Sequence, residues 1–290
     1  MIGSKFNQSG DDVRRKILRT LPYALITILV LPIVAQEYFS RDTGREYGIG
    51  LLTKLRILFI MIRNNARVVS ASNFLYHILM AGKILRIPKD LPGDIVECGV
   101  YKGGSAVNLS HLAALCGRRL HLFDSFEGLP TPTAEDQEHL VLSEQQVHTY
   151  EGGGYAGSLE EVRENIRKYG VLRVCDFHPG FFSDTLPGFS EPVVFAYVDA
   201  DFTDSVRDCL KYLWPLLQEG CFLFTDEAHH TRIAGLFYDT AWWAKEFGTE
   251  PPGLVGGGNG LGLLLHPGGF RSSLGFTAKI KQQELPRVRG

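Results

Sequence analysis

The stretch Asp94-Ile95-Val96-Glu97-Cys98-Gly99-Val100-Tyr101-Lys102-Gly103-Gly104 decides the fold. A short apolar run ends in an acid, turns on a glycine, passes two more glycines and enters an apolar segment of helical spacing at Ser105. Strand, glycine turn and helix in that order bring backbone and a helix N-terminus close to a small ligand. The dinucleotide fingerprint G-x-G-x-x-G has a glycine where this chain has Glu97. A carboxylate there repels a pyrophosphate, but it accepts a hydrogen bond or balances a positive charge. The expected ligand is therefore something other than a nicotinamide dinucleotide.

Downstream, the alternation repeats. Residues 95–98 read as a first strand and 105–116 as a helix closed by Gly117; residues 120–123 are a second strand ending in Asp124. Residues 125–157 form a long irregular insertion carrying Pro130, Pro132 and Gly152-Gly153-Gly154. Lying between two clear elements, it reads as a lid. Ser158 and Glu161 make a capping box for a helix striped by Leu159, Val162, Ile166 and Tyr169 and closed by Gly170. Strands follow at 171–175, 193–198 and 221–225, with a helix over 205–214 that Pro215 ends or kinks. Residues 261–265 and 274–280 are expected as an antiparallel pair at one edge. The result is an α/β fold, a doubly wound sheet with a parallel centre.

Upstream, residues 13–88 read as helices broken near 36–47, so a helical N-terminal region (1–90) precedes the α/β unit (91–290). Residues 21–35 follow Lys16 and Arg19 and imitate a signal peptide. They lack a small-x-small cleavage site and are short against the ~20 apolar residues of a bilayer span. This run and the one at 57–62, bracketed by Arg56 and Arg63, read as helices packed on the main unit or against a second copy in a homodimer. Location in a membrane interface is the rival, since basic residues flank both runs.

Lys and Arg number 30 against 32 Asp and Glu, so no basic excess points to nucleic acid. Cys98, Cys116, Cys175, Cys209 and Cys221 are widely spaced in or beside apolar runs. They read as buried thiols of a reducing, cytoplasmic compartment rather than a disulfide framework or a zinc site.

Ligands of doubly wound sheets bind outside the carboxyl ends of the strands. This reading puts Glu97, Asp124, Asp176, Asp199 and Asp226 there. Asp124 stands where a Rossmann-like fold places an acid on ribose hydroxyls. Asp199, Asp201, Asp226 and Glu227 form a second cluster, and carboxylates meeting at one mouth cannot all stay ionised unless a positive group joins them. An oxygen-rich set without cysteine suits Mg2+. His229 and His230 follow directly as a candidate base or additional ligand. The plainer readings are that Asp201 or Asp204 caps the next helix and that the histidines are surface residues.

Taken together, Glu97-x-Gly99, Gly103-Gly104, Asp124-Ser125-Phe126-Glu127-Gly128-Leu129-Pro130, Gly180-Phe181-Phe182-x-Asp184-Thr185-Leu186-Pro187 and Tyr197-Val198-Asp199-x-Asp201 resemble the macrocin O-methyltransferase family. The resemblance runs from about Leu91 to His230. It implies a class I methyltransferase fold and transfer of a methyl group from S-adenosylmethionine to a sugar hydroxyl of a natural product. By the same resemblance, Glu97, Gly99, Tyr101, Gly103, Gly104 and Ser105 hold the methionine part of the cofactor. Asp124 holds its ribose, with Ser125 and Phe126 near the adenosine. The family's metal-binding acids fall on Asp199, Asp226 and Glu227. Here the chain departs from the family's usual Asp-Asp pair, which puts the metal in doubt. Without a metal, His229 or His230 would serve as base beside Asp199. A nicotinamide oxidoreductase and a membrane-peripheral or scaffolding protein with vestigial cofactor binding are the competing classes.

Overall fold

The computed structural model describes residues 31–32, 35–72, 74–133, 136, 151–228, 230–255, 264–265, 271–272 and 274–280. Residues 21–30, most of the insertion's middle, His229 and residues 256–258 lie outside that set. The helical region contributes α1 (Leu51–Asn65) and α2 (Phe74–Ile84). Then come β1 (Asp94–Cys98), α3 (Gly104–Cys116), β2 (Leu120–Asp124), α4 (Leu159–Tyr169) and β3 (Cys175–Pro179). After the short α5 (Phe182–Thr185) follow β4 (Val193–Val198), α6 (Thr203–Leu216) and β5 (Leu217–Thr225). The chain continues through α7 (Thr231–Leu236) and α8 (Thr240–Phe247) to β6 (Leu264–Leu265), β7 (Arg271–Ser272) and β8 (Gly275–Ala278).

The sheet order is β3-β2-β1-β4-β5-β8. The first five strands run parallel and β8 closes the edge antiparallel to β5. Because β2 lies on one side of β1 and β4 on the other, the order reverses at β1. That is the switch point where such sheets open a crevice. β4 is buried along its whole length, as its uninterrupted apolar sequence requires when both faces are covered. One core runs from Ala35 and Tyr38 through α1 and α2 to the sheet and on to Trp243 and Leu254. All five cysteines are free and buried in it or at its edge.

Half of the capping box is present: the Ser158 hydroxyl accepts from the Glu161 amide at 3.2 Å, while the Glu161 carboxylate lies 3.3 Å from Lys102 Nζ. Three expectations change. Residues 172–174 form a 3-10 turn, so β3 starts at Cys175 and Asp176 lies inside the strand rather than beyond its end. There it is paired with the Arg119 guanidinium, a surface fork. Helix α6 starts at Thr203 with no side-chain cap, so neither Asp201 nor Asp204 caps it. Finally, β8 bonds directly to β5, while β6 and β7 form a separate two-stranded ribbon.

Candidate functional site

The site lies at the carboxyl ends of β1, β2, β4 and β5. Its floor is a contact between two strand ends. Gly99 has φ +87, and a Cβ built on it would sit 1.7 Å from the Asp199 carbonyl oxygen. Only a residue without a side chain lets the turn after β1 lie against the turn after β4. Gly104 is set against the N-terminal region. A Cβ there would meet the Ser70 side chain at 2.2 Å, so this glycine admits the N-terminal region to the head of α3.

Glu97 is fully buried. The Ser105 hydroxyl donates to its Oε1, while Oε2 has no hydrogen-bond partner among the described residues. Burial pushes its pKa up to about 8; the Ser105 bond opposes this and the nearby Asp124 adds to it. The protein therefore keeps a carboxyl in its interior that stays largely neutral until a positive partner arrives.

Asp124 organises the loop. Its Oδ2 accepts from the Val100 and Tyr101 amides at 2.6 and 3.1 Å, and its Oδ1 from the Phe126 amide at 2.7 Å. A carboxylate has about four acceptor positions, so one stays open to a ligand. Burial raises its pKa against the pull of those three amides. Ser125 is also committed: its hydroxyl donates to the Gly128 carbonyl at 2.7 Å and accepts from the Glu127 amide. The block Asp124–Gly128 is thus a braced turn, with Phe126 held in the left-handed region at φ 58.

The second cluster comprises the buried Asp226 and Glu227 and the half-buried Asp199, with Asp201 beside them. Burial raises all three well above the usual carboxylate range. Asp226 and Asp201 push Asp199 further; Glu227 and Asp201 act likewise on Asp226, and Asp201 and Asp199 on Glu227. Such mutual repulsion is what a cation would relieve. Yet among the described residues no group of three His, Cys, Asp or Glu side chains is arranged to hold a metal ion. The expected trio shares one electrostatic field but not one coordination shell, and Asp199 Oδ2 is engaged by the Tyr197 hydroxyl at 3.2 Å. His230 is nearly buried and precedes α7, its amide bonded to the Glu227 carbonyl.

Two features escaped the sequence reading. Tyr101, Phe126, Tyr155 and Asp201 are the non-glycine residues with positive φ among the described residues, and all four border this mouth. Each such conformation costs about 1–3 kcal/mol. The rings of Tyr101 and Tyr155 meet edge to face at 5.6 Å. Burial, with Asp201, Glu227 and Asp199, raises the Tyr155 pKa to about 12. The returning arm of the insertion is tied down at Leu129, whose amide donates to the Gly154 carbonyl at 2.9 Å.

The other feature is a buried polar chain that links the helical region to α3 and ends at Ser72, beside Tyr197. Asn64 of α1 donates to Asn108 of α3 at 3.0 Å, and Asn108 Nδ2 lies 2.8 Å from His77 Nδ1. His77 Nε2 lies 2.9 Å from the Ser72 hydroxyl, which neighbours Tyr197, the residue whose hydroxyl donates to Asp199. With His77 as the neutral Nε2–H tautomer, every donor in this chain points toward Ser72. Burial lowers the His77 pKa to about 3 and so keeps the ring neutral. By contrast, Trp243 packs against Trp214, Trp242 and Phe247 and donates to the Leu236 carbonyl, a core role. His178 stacks on Phe123 at 4.1 Å and is likewise structural.

A family model described as Macrocin-O-methyltransferase (TylF) matches residues 82–239. The chain is 38% identical over 142 residues to the 8-demethyl-8-(2,3-dimethoxy-alpha-L-rhamnosyl)-tetracenomycin-C 4'-O-methyltransferase of Streptomyces olivaceus, covering 47% of this chain and 53% of that one. It is 32% identical over 143 residues to the Mycinamicin III 3''-O-methyltransferase of Micromonospora griseorubida, covering 47% and 56%. The chain thus spans about half the length of the curated relatives it matches. The solved structure of the O-methyltransferase NovP superposes with a TM-score of 0.53 at 19% identity, over 89% of this chain and 100% of that one. That likeness is one of fold.

Proposed function

The chain belongs to the macrocin O-methyltransferase family, and from that premise we propose that it is an S-adenosylmethionine-dependent O-methyltransferase acting on a hydroxylated small molecule. A sugar of a natural product is the proposed acceptor class. The observation that carries this reading is the gathering of Glu97, Asp124, Asp199, Asp226 and Glu227 on both sides of the switch point at β1. The name of the S. olivaceus relative, with its rhamnosyl group, supports a sugar hydroxyl as acceptor.

The residues present suit the cofactor on one structural ground: Glu97 offers a buried oxygen without a partner among the described residues, which a ligand ammonium supplies with both a donor and a charge. S-adenosylmethionine, when bound, supplies a methyl group on sulfur, open to in-line displacement by an oxygen nucleophile. Glu97, Gly99, Tyr101, Gly103, Gly104 and Ser105 are the proposed methionine-side residues, and Asp124, Ser125 and Phe126 those at the adenosine. Asp199 is the proposed proton acceptor for the substrate hydroxyl. Its burial and acidic neighbours raise its affinity for a proton, which a general base working near neutrality needs. His229 and His230 are the alternative bases. Tyr155 and the arm that carries it keep water from the reacting groups.

No step is routed through magnesium, because Asp199, Asp226 and Glu227 do not converge as a ligand set. The ion is instead a variable of the test: calorimetric titration of the full chain with S-adenosylhomocysteine, with and without Mg2+. Binding supports the proposal and silence in both arms overturns it. Binding that requires the ion would assign a cation to the acid cluster, whereas equal binding leaves proton removal to side chains.

A further inference from the structure

Helix α1 turns an apolar stripe outward. Leu52, Leu55, Phe59 and Ile62 are 83, 46, 65 and 41% exposed, at spacings of three, four and three residues that place them on one side of the helix. The opposite side, through Lys54, Ile57, Met61 and Asn64, is buried in the core. It is fixed there by Lys54 Nζ donating to the Ser40 carbonyl at 2.7 Å and by the Tyr38 hydroxyl bonding the Lys54 carbonyl at 2.9 Å. The exposed stripe is therefore not a core face awaiting a fold; the core already holds its other side.

Charge says what the stripe faces. Arg56 and Arg63 lie exposed beside it, without a carboxylate partner among the described residues, and α1 contains no acid. The surrounding sequence leans the same way. Residues 1–90 carry 14 Lys and Arg against 6 Asp and Glu, whereas residues 91–290 carry 16 against 26. A near-neutral total thus hides a strongly positive region joined to a negative one. Apolar residues in a stripe with arginines on its flank are the composition of a helix that lies in a lipid interface. Juxtaposed positive charge adds attraction to anionic headgroups. A second copy fits less well, since pairing like with like sets two positive faces together. Spanning is ruled out for this helix: no helix among the described residues is long and apolar enough to cross a membrane.

We propose that the outer face of α1 docks the protein on an anionic lipid bilayer, with Leu52, Leu55, Phe59 and Ile62 in the boundary between headgroups and acyl chains. The test is sedimentation of the full chain with phosphatidylcholine vesicles, with and without about one-third phosphatidylserine. Expected is binding to the anionic vesicles at low salt that weakens as salt is raised. Arg56→Gln with Arg63→Gln should weaken it about 25-fold, roughly fivefold for each arginine. Leu52→Ser with Phe59→Ser should abolish it while leaving S-adenosylhomocysteine binding and the thermal melt unchanged. If that apolar variant fails to fold, the arginine variant alone decides. No binding to the anionic vesicles, or binding indifferent to the arginine changes, overturns the proposal. So does a dimer that Leu52→Ser with Phe59→Ser splits without any vesicle binding, since the face would then belong to a second copy.

Discussion

Replacing Glu97 by glutamine exchanges a buried, largely neutral carboxyl for a neutral amide of the same shape. Burial raises the carboxyl from 4.5 to about 8. At about 1.36 kcal/mol for each pKa unit, that displacement corresponds to roughly 5 kcal/mol between the fully protonated and fully ionised limits. The folded-state value lies above the unfolded one, so the folded protein retains a proton that the unfolded chain releases. Stability therefore falls as pH rises from about 4.5 to about 8. Between pH 5 and pH 7 the group's share of that fall is about 2.5 kcal/mol. Urea unfolding of the ligand-free proteins should show Glu97→Gln gaining about that much on the parent over this interval, with other carboxylates cancelling in the difference. A second arm uses the ligand. S-adenosylhomocysteine carries an ammonium group, so at pH 7 its binding to the parent should expel the Glu97 proton, and binding to the glutamine variant should not. Calorimetry in two buffers of unlike ionisation enthalpy reads that proton. A stability difference that stays flat from pH 5 to 8, with no proton released, would refute both the neutral state of Glu97 and its place opposite the cofactor's charge.

Gly99→Ala should cost at least about 3 kcal/mol, since its φ is positive and the new Cβ meets the Asp199 carbonyl; thermal unfolding measures it. Asp124→Ala releases the Val100, Tyr101 and Phe126 amides and should weaken S-adenosylhomocysteine binding at least about tenfold. Unaltered affinity would remove Asp124 from the site. His77→Leu strips Ser72 and Asn108 of a partner and should cost about 2–5 kcal/mol. Because Ser72 neighbours Tyr197, the donor to Asp199, kcat should fall more than KM rises, and the acid limb of the pH–rate profile should move. A stability loss with an unmoved profile would make His77 a structural residue only.

The opening segment was legible because a five-residue strand, a positive-φ glycine and a helix leave few alternatives at one place in the chain. The acids at the carboxyl ends of β1, β2, β4 and β5 were legible for the same reason: strand ends can be read wherever apolar runs stop. Asp176 failed that test because Val171, Leu172 and Val174 look like a strand but form the turn before one, and an exposed guanidinium then claims the acid. Short apolar runs carry no signal of where a strand begins. What Asp124 and Ser125 bond was hidden too, since backbone amides are the same in every sequence. The chain from Asn64 through Asn108 and His77 to Ser72 joins residues up to 44 positions apart and depends on how α1 and α2 pack on α3, which no spacing encodes. The outward stripe of α1 was half visible: its apolar run and flanking arginines were plain, but which side the core would take was not.

That helix joins two environments. Its outer side carries Phe59 and Ile62; its inner side carries Asn64, the first donor in a line of hydrogen bonds that ends at Ser72, next to the Tyr197 that bonds a carboxylate at the mouth. A helix of 15 residues, about four turns, tilts as one body rather than bending at each residue. A shift of that body on its outer side carries Asn64 with it, and with Asn64 the bond to Asn108 of α3. Thermodynamic reciprocity makes any coupling between the outer side and the mouth equal in both directions. If a surface changes the mouth's affinity by some factor, filling the mouth changes the grip on the surface by that same factor. Occupancy at the mouth would then also set how long the protein stays where it has landed.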